Sequence, residues 1–433
     1  MADMPLLIIL AGGASSRMWP LREKSLLRFG EEPLLLRQLK RYAQLGLQDV
    51  IIVANPDNET ELRTFAAEFS EISVQIVVQP IAKGMGDALL QAALLIQQDR
   101  AIYVVQVHDV VEDQLHVDLL TAHQADPSAT YLAGYEQEAY FPGGYLIVGA
   151  DNVITGIIEK PGAENRPSNL VNIVAHIHSS STNLFETLRQ EYASTNPADD
   201  HYERAMDRLM KEQVYRVVAY RGAWNALKFP WHVLDVMNYF LAQIDGQHVA
   251  DNAFIAKTAT LIGNVFIGEG AKVFPGASIV GPAYIGAHTI VGNNALVRNS
   301  MVLDHSNVGF TTEVARSYVA AHCDMHACRV LDSVFAPYVN FSAGCTTANL
   351  RIDRGLVSSS VKGSKLNTGR DKLGAIIGQG AFLSVDVMTM PGVKIGERAQ
   401  VGPGVHVQRD VKNGVRTYLK QELIVIDDND VLT

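Results

Sequence analysis

Aliphatic residues recur at every sixth position in the C-terminal half of this chain. The series runs from Ile255 to Val297 without an interruption. Two residues before each member lies a second series, made almost entirely of small side chains, which runs from Ala253 to Ala295. The side chains of an α-helix return to one face after three or four positions and those of a β-strand after every second, so neither produces a strict period of six. The repeat therefore predicts a coil of short strands.

A triangular parallel β-helix has this period, because each side of its coil is one short strand and each corner is a turn. The repeat returns in a different phase from Ile377 to Val407, with Thr389 filling the one gap. Between the two runs, over residues 302–370, the aliphatic residues no longer keep the six-residue spacing, which predicts an irregular segment. We expect most residues of the repeat to do no more than pack in the core.

Length and charge narrow the class of protein. A chain of 433 residues exceeds the size of one ordinary core, so two or three domains are expected. A formal net charge of −10 argues against a nucleic-acid or anionic-membrane partner. The start MADMPLLIILAGG lacks the features of a signal peptide, and no apolar run reaches spanning length. With only three cysteines, these features predict a cytoplasmic protein.

The N-terminal half has a different pattern of apolar residues. An apolar run from Leu6 to Ala11 is followed by a glycine turn, a helical pattern from Leu34 to Leu45 and a second apolar run from Val50 to Ala54. This order of strand, turn, helix and strand is a βαβ unit. We predict a Rossmann-like α/β domain over residues 1–228, a linker helix over 229–249 and a left-handed parallel β-helix over 250–433.

The glycine turn after the first strand is a candidate phosphate site. Gly12 and Gly13 leave the backbone bare where amide N–H groups can point at phosphate oxygens. Arg17 and Lys24 add two positive charges within the same loop. The turn matches neither the dinucleotide fingerprint nor the P-loop pattern, so the residues alone leave its ligand open.

The segment LAGGASSRMWPLREKSLLRFGEEPLL resembles the signature of the sugar-1-phosphate nucleotidyltransferases. The resemblance continues, in the family's order, through segments that read the base, bind the metal and bind the sugar. These segments are Gln79 with Gly84-Met85, His108-Asp109, Gly143-Gly144, Glu159-Lys160 and Asn172. Five matches in one order are specific to the family.

The resemblance implies transfer of a nucleotidyl group from UTP or dTTP to N-acetylglucosamine-1-phosphate or glucose-1-phosphate, with release of pyrophosphate. Such a displacement needs alignment and charge neutralisation more than a strong base. Asp109 is expected to bind Mg²⁺. The other implied roles are the pyrophosphate for Arg17 and Lys24, the nucleotide for Gly12, Gly13, Gln79, Gly84 and Met85, and the sugar for Gly144, Glu159, Lys160 and Asn172. Among the sugar residues, Lys160 is implied to offset the charge of the phosphate, and Glu159 and Asn172 to bond hydroxyls or an N-acetyl group.

The chain departs from the family at the second metal ligand. The segment from Trp224 to Trp231 has Ala226 where the family has an acidic residue or Asn. Asn225 is adjacent, but a shift of one residue along a strand turns the side chain to the other face. Met85 also replaces a Thr. An alternative is therefore a weakened homologue that binds a nucleotide sugar for regulation or scaffolding.

The coil half resembles the acetyltransferase half of the bifunctional UDP-N-acetylglucosamine synthesis enzymes and their archaeal relatives. The resemblance lies in the stretch CTTANLRIDRGLVSSSVKGSKLNTGRDKLGAIIG. It implies acetyl-CoA as co-substrate, His326 as the general base on a sugar amine and Asn349 as a substrate ligand. Arg329, Gly355 and Ser358 depart from the pattern, which leaves acceptor binding open.

The coil also bears on assembly. A triangular prism with an apolar outer patch commonly buries that patch against two copies, so a homotrimer or a dimer of trimers is expected. One more alternative remains, in which the chain is an acyltransferase only and the first half has no activity.

Overall fold

The computed structural model describes residues 4–13, 15–68, 72–141, 143–194 and 200–425. The chain divides into two compact units. The first contains the residues up to Ser16, Glu23–Arg28 and Glu32–Lys228, and the second contains Arg17–Arg22, Phe29–Glu31 and the chain from Phe229 onward.

The first unit is built on a mixed sheet whose centre is parallel. Leu6–Leu10 lies between Ile102–Gln106 and Asp49–Ala54, and Ser73–Val78 forms one edge. The remaining strands of the sheet are Thr130–Glu136, Gly144–Val148, Ile154–Glu159, Leu170–His178 and Tyr215–Tyr220. Outside it lies the pair of short strands Asp109–Val111 and Trp224–Ala226. Two further short strands, Arg28–Phe29 and Glu32–Pro33, pair with each other.

Helices cover both faces of this sheet, which explains why its central strands are apolar on both sides. All five residues of Leu6–Leu10 are buried and divide alternately between two cores, one on each face. The helices are Leu34–Gln44, Glu59–Glu68, Met85–Ala92, Asp113–Ala125, Ser181–Ala193 and His201–Leu209. The parallel strands end at one edge of the sheet, where α/β folds bind their ligands.

The second unit is a parallel β-helix with three sheets as its sides. Both series of the repeat point inward: Val273, Ile279 and Ile285 are fully buried, and the small residues such as Ala271 and Ala277 pack beside them. This agrees with the parallel β-helix that the repeat predicts, and the predicted fold class, with the left hand that the family resemblance implies, is confirmed.

The strands of the three sheets follow one another in rotation along the chain. The first sheet contains Gln247–Val249, Val265–Ile267, Ala283–Ile285, Met301–Val302, Tyr318–Val319, Val334–Phe335, Ile376–Ile377 and Lys394–Ile395. The second contains Phe254–Ile255, Lys272–Val273, Ile290–Val291, Asn307–Val308, Asp324–Met325, Asn340–Phe341, Phe382–Leu383, Gln400–Val401 and Arg416–Thr417. The third contains Thr260–Ile262, Ser278–Val280, Leu296–Arg298, Glu313–Ala315, Arg329–Leu331, Thr346–Thr347, Met388–Thr389 and His406–Val407.

Residues 302–370 were expected to be irregular because the repeat is broken there. That prediction is wrong for most of the segment, which continues as regular strands of the β-helix. Earlier coils keep the full period, since three hexads separate Val273 from its partner Val291. The next partner of Val291 is Val308, one position short of three hexads, and Val319 pairs with Phe335, two positions short. A coil that is shortened at a corner keeps its strands stacked, because the corner alone absorbs the change.

The irregular part lies between Thr347 and Ile376. It contains an antiparallel hairpin of Ser358–Val361 and Ser364–Asn367, after which the coil resumes. The segment before the coil contains the helix Val233–Leu241, and the strand Gln247–Val249 already pairs with Val265–Ile267. Over the described part of the chain, no helix has the length and apolar character to cross a membrane.

Candidate nucleotidyl transfer and acetyl transfer sites

The glycine turn follows the first strand at the ligand-binding edge of the sheet. A Cβ atom on Gly12 would lie 3.0 Å from Gln79 Oε1 and 3.1 Å from the Ala54 carbonyl oxygen, so a side chain there would push against both neighbours. Gly13 is exposed, and its carbonyl oxygen accepts a hydrogen bond from Asn55 Nδ2 at 3.3 Å. The turn is thus held in place while its outer side stays open.

Glu23 braces the same turn from the far side of the loop. One carboxylate oxygen accepts from Ser15 Oγ at 3.0 Å and the other accepts from Asn55 Nδ2 at 3.0 Å. The short 3₁₀ helix Lys24–Leu26 follows directly. Lys24 is therefore carried by a fixed element next to the turn.

Gln79 has its amide orientation fixed by the base-reading segment. Its Nε2 donates to the Gly84 carbonyl oxygen at 3.1 Å and to Asp87 Oδ2 at 2.8 Å. Both amide hydrogens are then in use, and Oε1 is the atom that faces Gly12. The buried Gln79 side chain presents an acceptor to the site.

Tyr192 holds the segment around Gly84. Its hydroxyl donates to the Lys83 carbonyl oxygen and accepts from the Asp87 N–H, both at 2.9 Å. Gly84 has φ +90°, which suits a glycine, and Met85 opens the following helix. Met85 Sδ lies 2.7 Å from Gln106 Nε2, at the end of a central strand.

Asp109 is buried at the start of a two-stranded ladder. Trp224 Nε1 donates to Asp109 Oδ1 at 3.0 Å. Burial raises the pKa of Asp109 above its ordinary value, whereas the Lys228 ammonium, the Trp224 indole and the Lys24 ammonium oppose that rise. Lys24 and Asp109 are therefore close enough to interact.

The register of that ladder places Ala226 directly opposite Asp109. Trp224 pairs with Val111 and Asn225 with Val110, so Asn225 lies on the other face. The Lys228 ammonium lies 4.2 Å from the centroid of the Phe141 ring.

Across the described ranges, no three His, Cys, Asp or Glu side chains are grouped to hold a metal ion. Mg²⁺ often binds through one carboxylate and substrate phosphates, and Asp109 alone fits that mode.

The candidate sugar residues lie on three neighbouring strands. Gly144 pairs with Glu159, and a Cβ atom on Gly144 would lie 3.0 Å from Glu159 Oε2. Lys160 follows with φ +46°, and its ammonium forms an ion pair with Glu159 at 3.0 Å. The strand of Asn172 runs beside that of Gly144, because Val171 pairs with Tyr145.

Arg17 is grouped with the second unit, apart from the other candidate phosphate ligands. Its guanidinium carbon lies 5.9 Å from the centroid of the Phe229 ring. In the same short segment, Trp19 Nε1 donates to Asn413 Oδ1 at 2.8 Å and Arg22 forms an ion pair with Glu397.

The two candidate acetyl transfer residues stand at different corners of the coil. His326 is exposed and follows a strand of the second sheet. Asn349 follows a strand of the third sheet, and its Nδ2 donates to Asp332 Oδ2. Asp332 is also held by the Arg316 guanidinium through two hydrogen bonds of 2.7 Å. A cleft of about 480 Å³ at this corner is lined by Arg316, Asp332 and residues 369–372.

Sequence reasoning missed the residues that orient this chemistry. Asn55 follows a parallel strand at the same sheet edge as the glycine turn, so its position was a usable signal. Tyr192 gave no such signal. Trp224 and Lys228 lie in the segment that was compared with the family, but their relation to Asp109 does not follow from it, because Asp109 lies far away in the sequence. Trp224 and Asp109, for example, are 115 residues apart.

Two family models match parts of this chain. The nucleotidyl transferase family matches residues 6–226, and the GMPPB C-terminal domain matches residues 261–364. A bifunctional sugar-1-phosphate nucleotidylyltransferase/acetyltransferase of Sulfurisphaera tokodaii is 30% identical over 411 residues. That match covers 94% of this chain and 98% of the relative.

Other relatives match at similar length. The bifunctional protein GlmU of Methanococcus vannielii is 28% identical over 427 residues, covering 96% of this chain and 98% of the relative. A solved structure of UDP-glucose pyrophosphorylase in complex with UDP-glucose is 18% identical, with a TM-score of 0.48, and covers 56% of this chain and 100% of that one.

Proposed function

Because this chain belongs to the nucleotidyl transferase family, we propose that it transfers a nucleotidyl group from UTP or dTTP to a sugar-1-phosphate and releases pyrophosphate. The candidate sugars are N-acetylglucosamine-1-phosphate and glucose-1-phosphate. The relative from Sulfurisphaera tokodaii, matched over almost its whole length, carries sugar-1-phosphate in its name and supports this substrate class.

The proposal for the base rests on Gln79, whose free amide atom is a hydrogen-bond acceptor. With both Nε2 hydrogens donated inside the protein, only Oε1 is left to contact the base, and it accepts. Uracil and thymine carry an N–H at ring position 3, whereas the corresponding nitrogens of cytosine and adenine accept. Gln79 Oε1 therefore fits the ring N–H of UTP and dTTP, whereas CTP and ATP could reach it only through their exocyclic amino groups. Guanine also carries a ring N–H, so GTP belongs in the test.

The phosphate chemistry depends on fixed charges and donors. The N–H groups of the Gly12-Gly13 turn and the Lys24 ammonium would hold the triphosphate. The family resemblance gives Arg17 the leaving pyrophosphate. Lys160, next to Glu159, would balance the charge of the incoming sugar phosphate. The attacking phosphate is already an anion, so alignment and charge neutralisation account for the catalysis. Mg²⁺, when bound by Asp109, would supply further neutralisation of phosphate charge.

We assign Glu159 and Asn172 to the sugar hydroxyls or an N-acetyl group. Gly144 leaves room for the Glu159 carboxylate, because a Cβ atom at that position would lie only 3.0 Å from Glu159 Oε2 and push it aside. Gly84 and Met85 complete the nucleotide subsite by carrying the segment that orients Gln79.

The first experiment is a pyrophosphate-release assay with Mg²⁺, four nucleoside triphosphates, dTTP and several sugar-1-phosphates. We expect release with UTP or dTTP and one sugar, and its loss in Asp109→Ala. Release only with GTP would overturn the base assignment. Folded protein that binds nucleotide but releases no pyrophosphate with any pair would favour the regulatory or scaffolding alternative, with Ala226 as the reason.

A second activity is proposed for the coil, namely acetyl transfer from acetyl-CoA to an amino sugar phosphate. The exposed position of His326 on the coil supports a role as general base, since a neutral imidazole can take a proton from an attacking amine. Asn349 would contact the acceptor beside Asp332. Release of the CoA thiol with glucosamine-1-phosphate, lost in His326→Ala and retained in His305→Ala at another exposed corner, would support it. Equal release in both variants would remove His326 from the site.

The assembly and location form the last part of the proposal. We propose a homotrimer or a dimer of trimers in the cytoplasm. All three cysteines are free and buried in the coil, which is consistent with a reducing compartment.

A further inference from the structure

A buried chain of hydrogen bonds ends at Asn172, the candidate sugar ligand. His178 Nε2 lies 2.8 Å from the Tyr202 hydroxyl, and that hydroxyl lies 2.8 Å from His176 Nδ1. His176 Nε2 then lies 2.9 Å from Asn172 Oδ1. His176, His178 and Tyr202 are each no more than 1% exposed, whereas Asn172 is half-buried at the end of the chain.

Burial fixes the protonation of the three inner groups. It lowers the pKa of His176 to about 3 and the pKa of His178 well below the ordinary value. It raises the pKa of Tyr202 well above the ordinary value for a phenol. At neutral pH, each imidazole therefore carries one N–H, and the phenol keeps its hydrogen.

One N–H per imidazole fixes the direction of the three side-chain bonds in this chain. Asn172 Oδ1 has no hydrogen, so His176 Nε2 must be the donor to it. His176 Nδ1 is then unprotonated and accepts from the Tyr202 O–H. That hydroxyl has no second hydrogen to give, so it accepts from the N–H at His178 Nε2.

We propose that His176 and Tyr202 are positioning residues that present the Asn172 amide to the sugar as a hydrogen-bond donor. Oδ1 is held by His176, and the remaining polar atom of the amide, Nδ2, carries two hydrogens and no acceptor capacity. The ligand group that fits Nδ2 is an oxygen acceptor, such as a hydroxyl or an amide carbonyl. An ammonium group on the sugar cannot accept a hydrogen bond and does not fit.

This inference rests on the proposed assignment of Asn172 to the sugar subsite, but part of it can be measured without turnover. Protein labelled with ¹⁵N-histidine reports the tautomer directly, since protonated and unprotonated ring nitrogens differ strongly in chemical shift. The His176 signals are identified by their loss in His176→Gln. We expect a neutral His176 with its proton on Nε2 at pH 7. A proton on Nδ1 in the wild-type protein would overturn the inference, whether or not the enzyme is active.

The functional test uses Tyr202→Phe, which removes the hydroxyl that fixes the His176 tautomer. We expect KM for the sugar-1-phosphate to rise at least about fivefold, with KM for the nucleoside triphosphate unchanged, because only the sugar ligand loses its fixed orientation. An unchanged sugar KM in a folded variant would overturn the inference.

Tyr103→Phe is the matched control. Tyr103 is also a buried tyrosine whose hydroxyl bonds a buried histidine, His116 Nδ1, but this pair does not contact Asn172. The control should lose stability in the same way and keep the wild-type KM for the sugar. An equal rise of the sugar KM in both variants would mean general loosening of the fold and would contradict a positioning role. Absence of turnover in the wild type, with the expected tautomer, would instead count against the proposed function.

Discussion

Lys24 begins the short 3₁₀ helix that follows Glu23, the residue that bonds Ser15 and Asn55 beside the glycine turn. We expect Lys24→Ala to lower nucleotidyl transfer at least about tenfold, which corresponds to about 1.4 kcal/mol of transition-state stabilisation. The reason is the loss of a fixed positive charge beside the leaving pyrophosphate. The measurement is kcat/KM from initial rates of pyrophosphate release.

Lys40→Ala is the control for this prediction. Lys40 is exposed, and its ammonium pairs with Glu32 at the surface of the same unit. It should keep wild-type turnover, since exposed pairs contribute little. Equal turnover in Lys24→Ala and wild type would remove Lys24 from the site.

His176 makes the stability of the first unit depend on pH. Its folded pKa of about 3 lies below the unfolded value near 6.5, so the unfolded state binds the proton first as pH falls. The stability that His176 gives is present above about pH 6.5 and is lost progressively toward pH 3. At pH 5 the loss from this residue is about 2 kcal/mol.

His176→Gln should therefore flatten the acid side of the stability profile. Urea denaturation at pH 7 and pH 5 should show a smaller drop for the variant than for the wild type, by about 2 kcal/mol. The buried His178 should keep part of the pH dependence in the variant, because its pKa is also lowered. An equal drop in both proteins would contradict a neutral, buried His176.

The strand pair Asp109–Val111 and Trp224–Ala226 determines how many carboxylates the metal site can offer. Ala226 lies opposite Asp109, and Asn225 lies on the other face. We expect Ala226→Asp to lower the Mg²⁺ concentration for half-maximal binding at least about threefold, because a second carboxylate joins the site. Displacement of bound Mn²⁺ by Mg²⁺, monitored by electron paramagnetic resonance, measures this without turnover.

Asn225→Asp adds the same charge to the same strand and is the control. It should leave metal affinity close to the wild-type value, because its side chain points away from Asp109. Stronger binding in Asn225→Asp than in Ala226→Asp would contradict the register of the ladder.

The coil explains why an unbroken period in the sequence is not required for an unbroken β-helix. Coils of three full hexads and coils shortened by one or two positions stack in one prism. Left-handed corner residues such as His305 and His322, with φ of 55° and 60°, mark where the chain turns. The strands need only matching inward residues, so a corner can be shortened without disturbing the core.

The assembled protein is expected to be a homotrimer or a dimer of trimers. Large apolar side chains are exposed on the coil, including Phe254, Phe310 and Phe382 at 51%, 54% and 44%. Burying them between copies would remove them from water. Sedimentation equilibrium should give about three or six times the chain mass of 47.3 kDa.

Phe310→Glu tests the role of this apolar surface. A carboxylate at a buried contact between copies would be costly, so the variant should dissociate at higher protein concentration than the wild type. Leu94→Glu, at an exposed position of the first unit, should not change assembly. A monomeric wild-type protein would contradict the trimer outright.

The family and the fold class follow from the sequence and are confirmed. The hexad period and the ordered motifs are local properties, because a short strand, a glycine turn or a corner is specified by residues next to one another. The irregular segment was predicted over too long a range, because a shortened corner and a true insertion both interrupt the six-residue spacing. The boundaries of the domains and the roles of the site residues stay predictions.

The orientation of each functional side chain came only from the folded chain. The acceptor face of Gln79, the donor face of Asn172 and the position of Ala226 opposite Asp109 each depend on a partner from another element. The Tyr202 hydroxyl that fixes the His176 tautomer comes from a helix that begins after the strand has ended. Hydrogen-bond direction and strand register are properties of pairs, and a sequence lists residues without saying which pairs will meet.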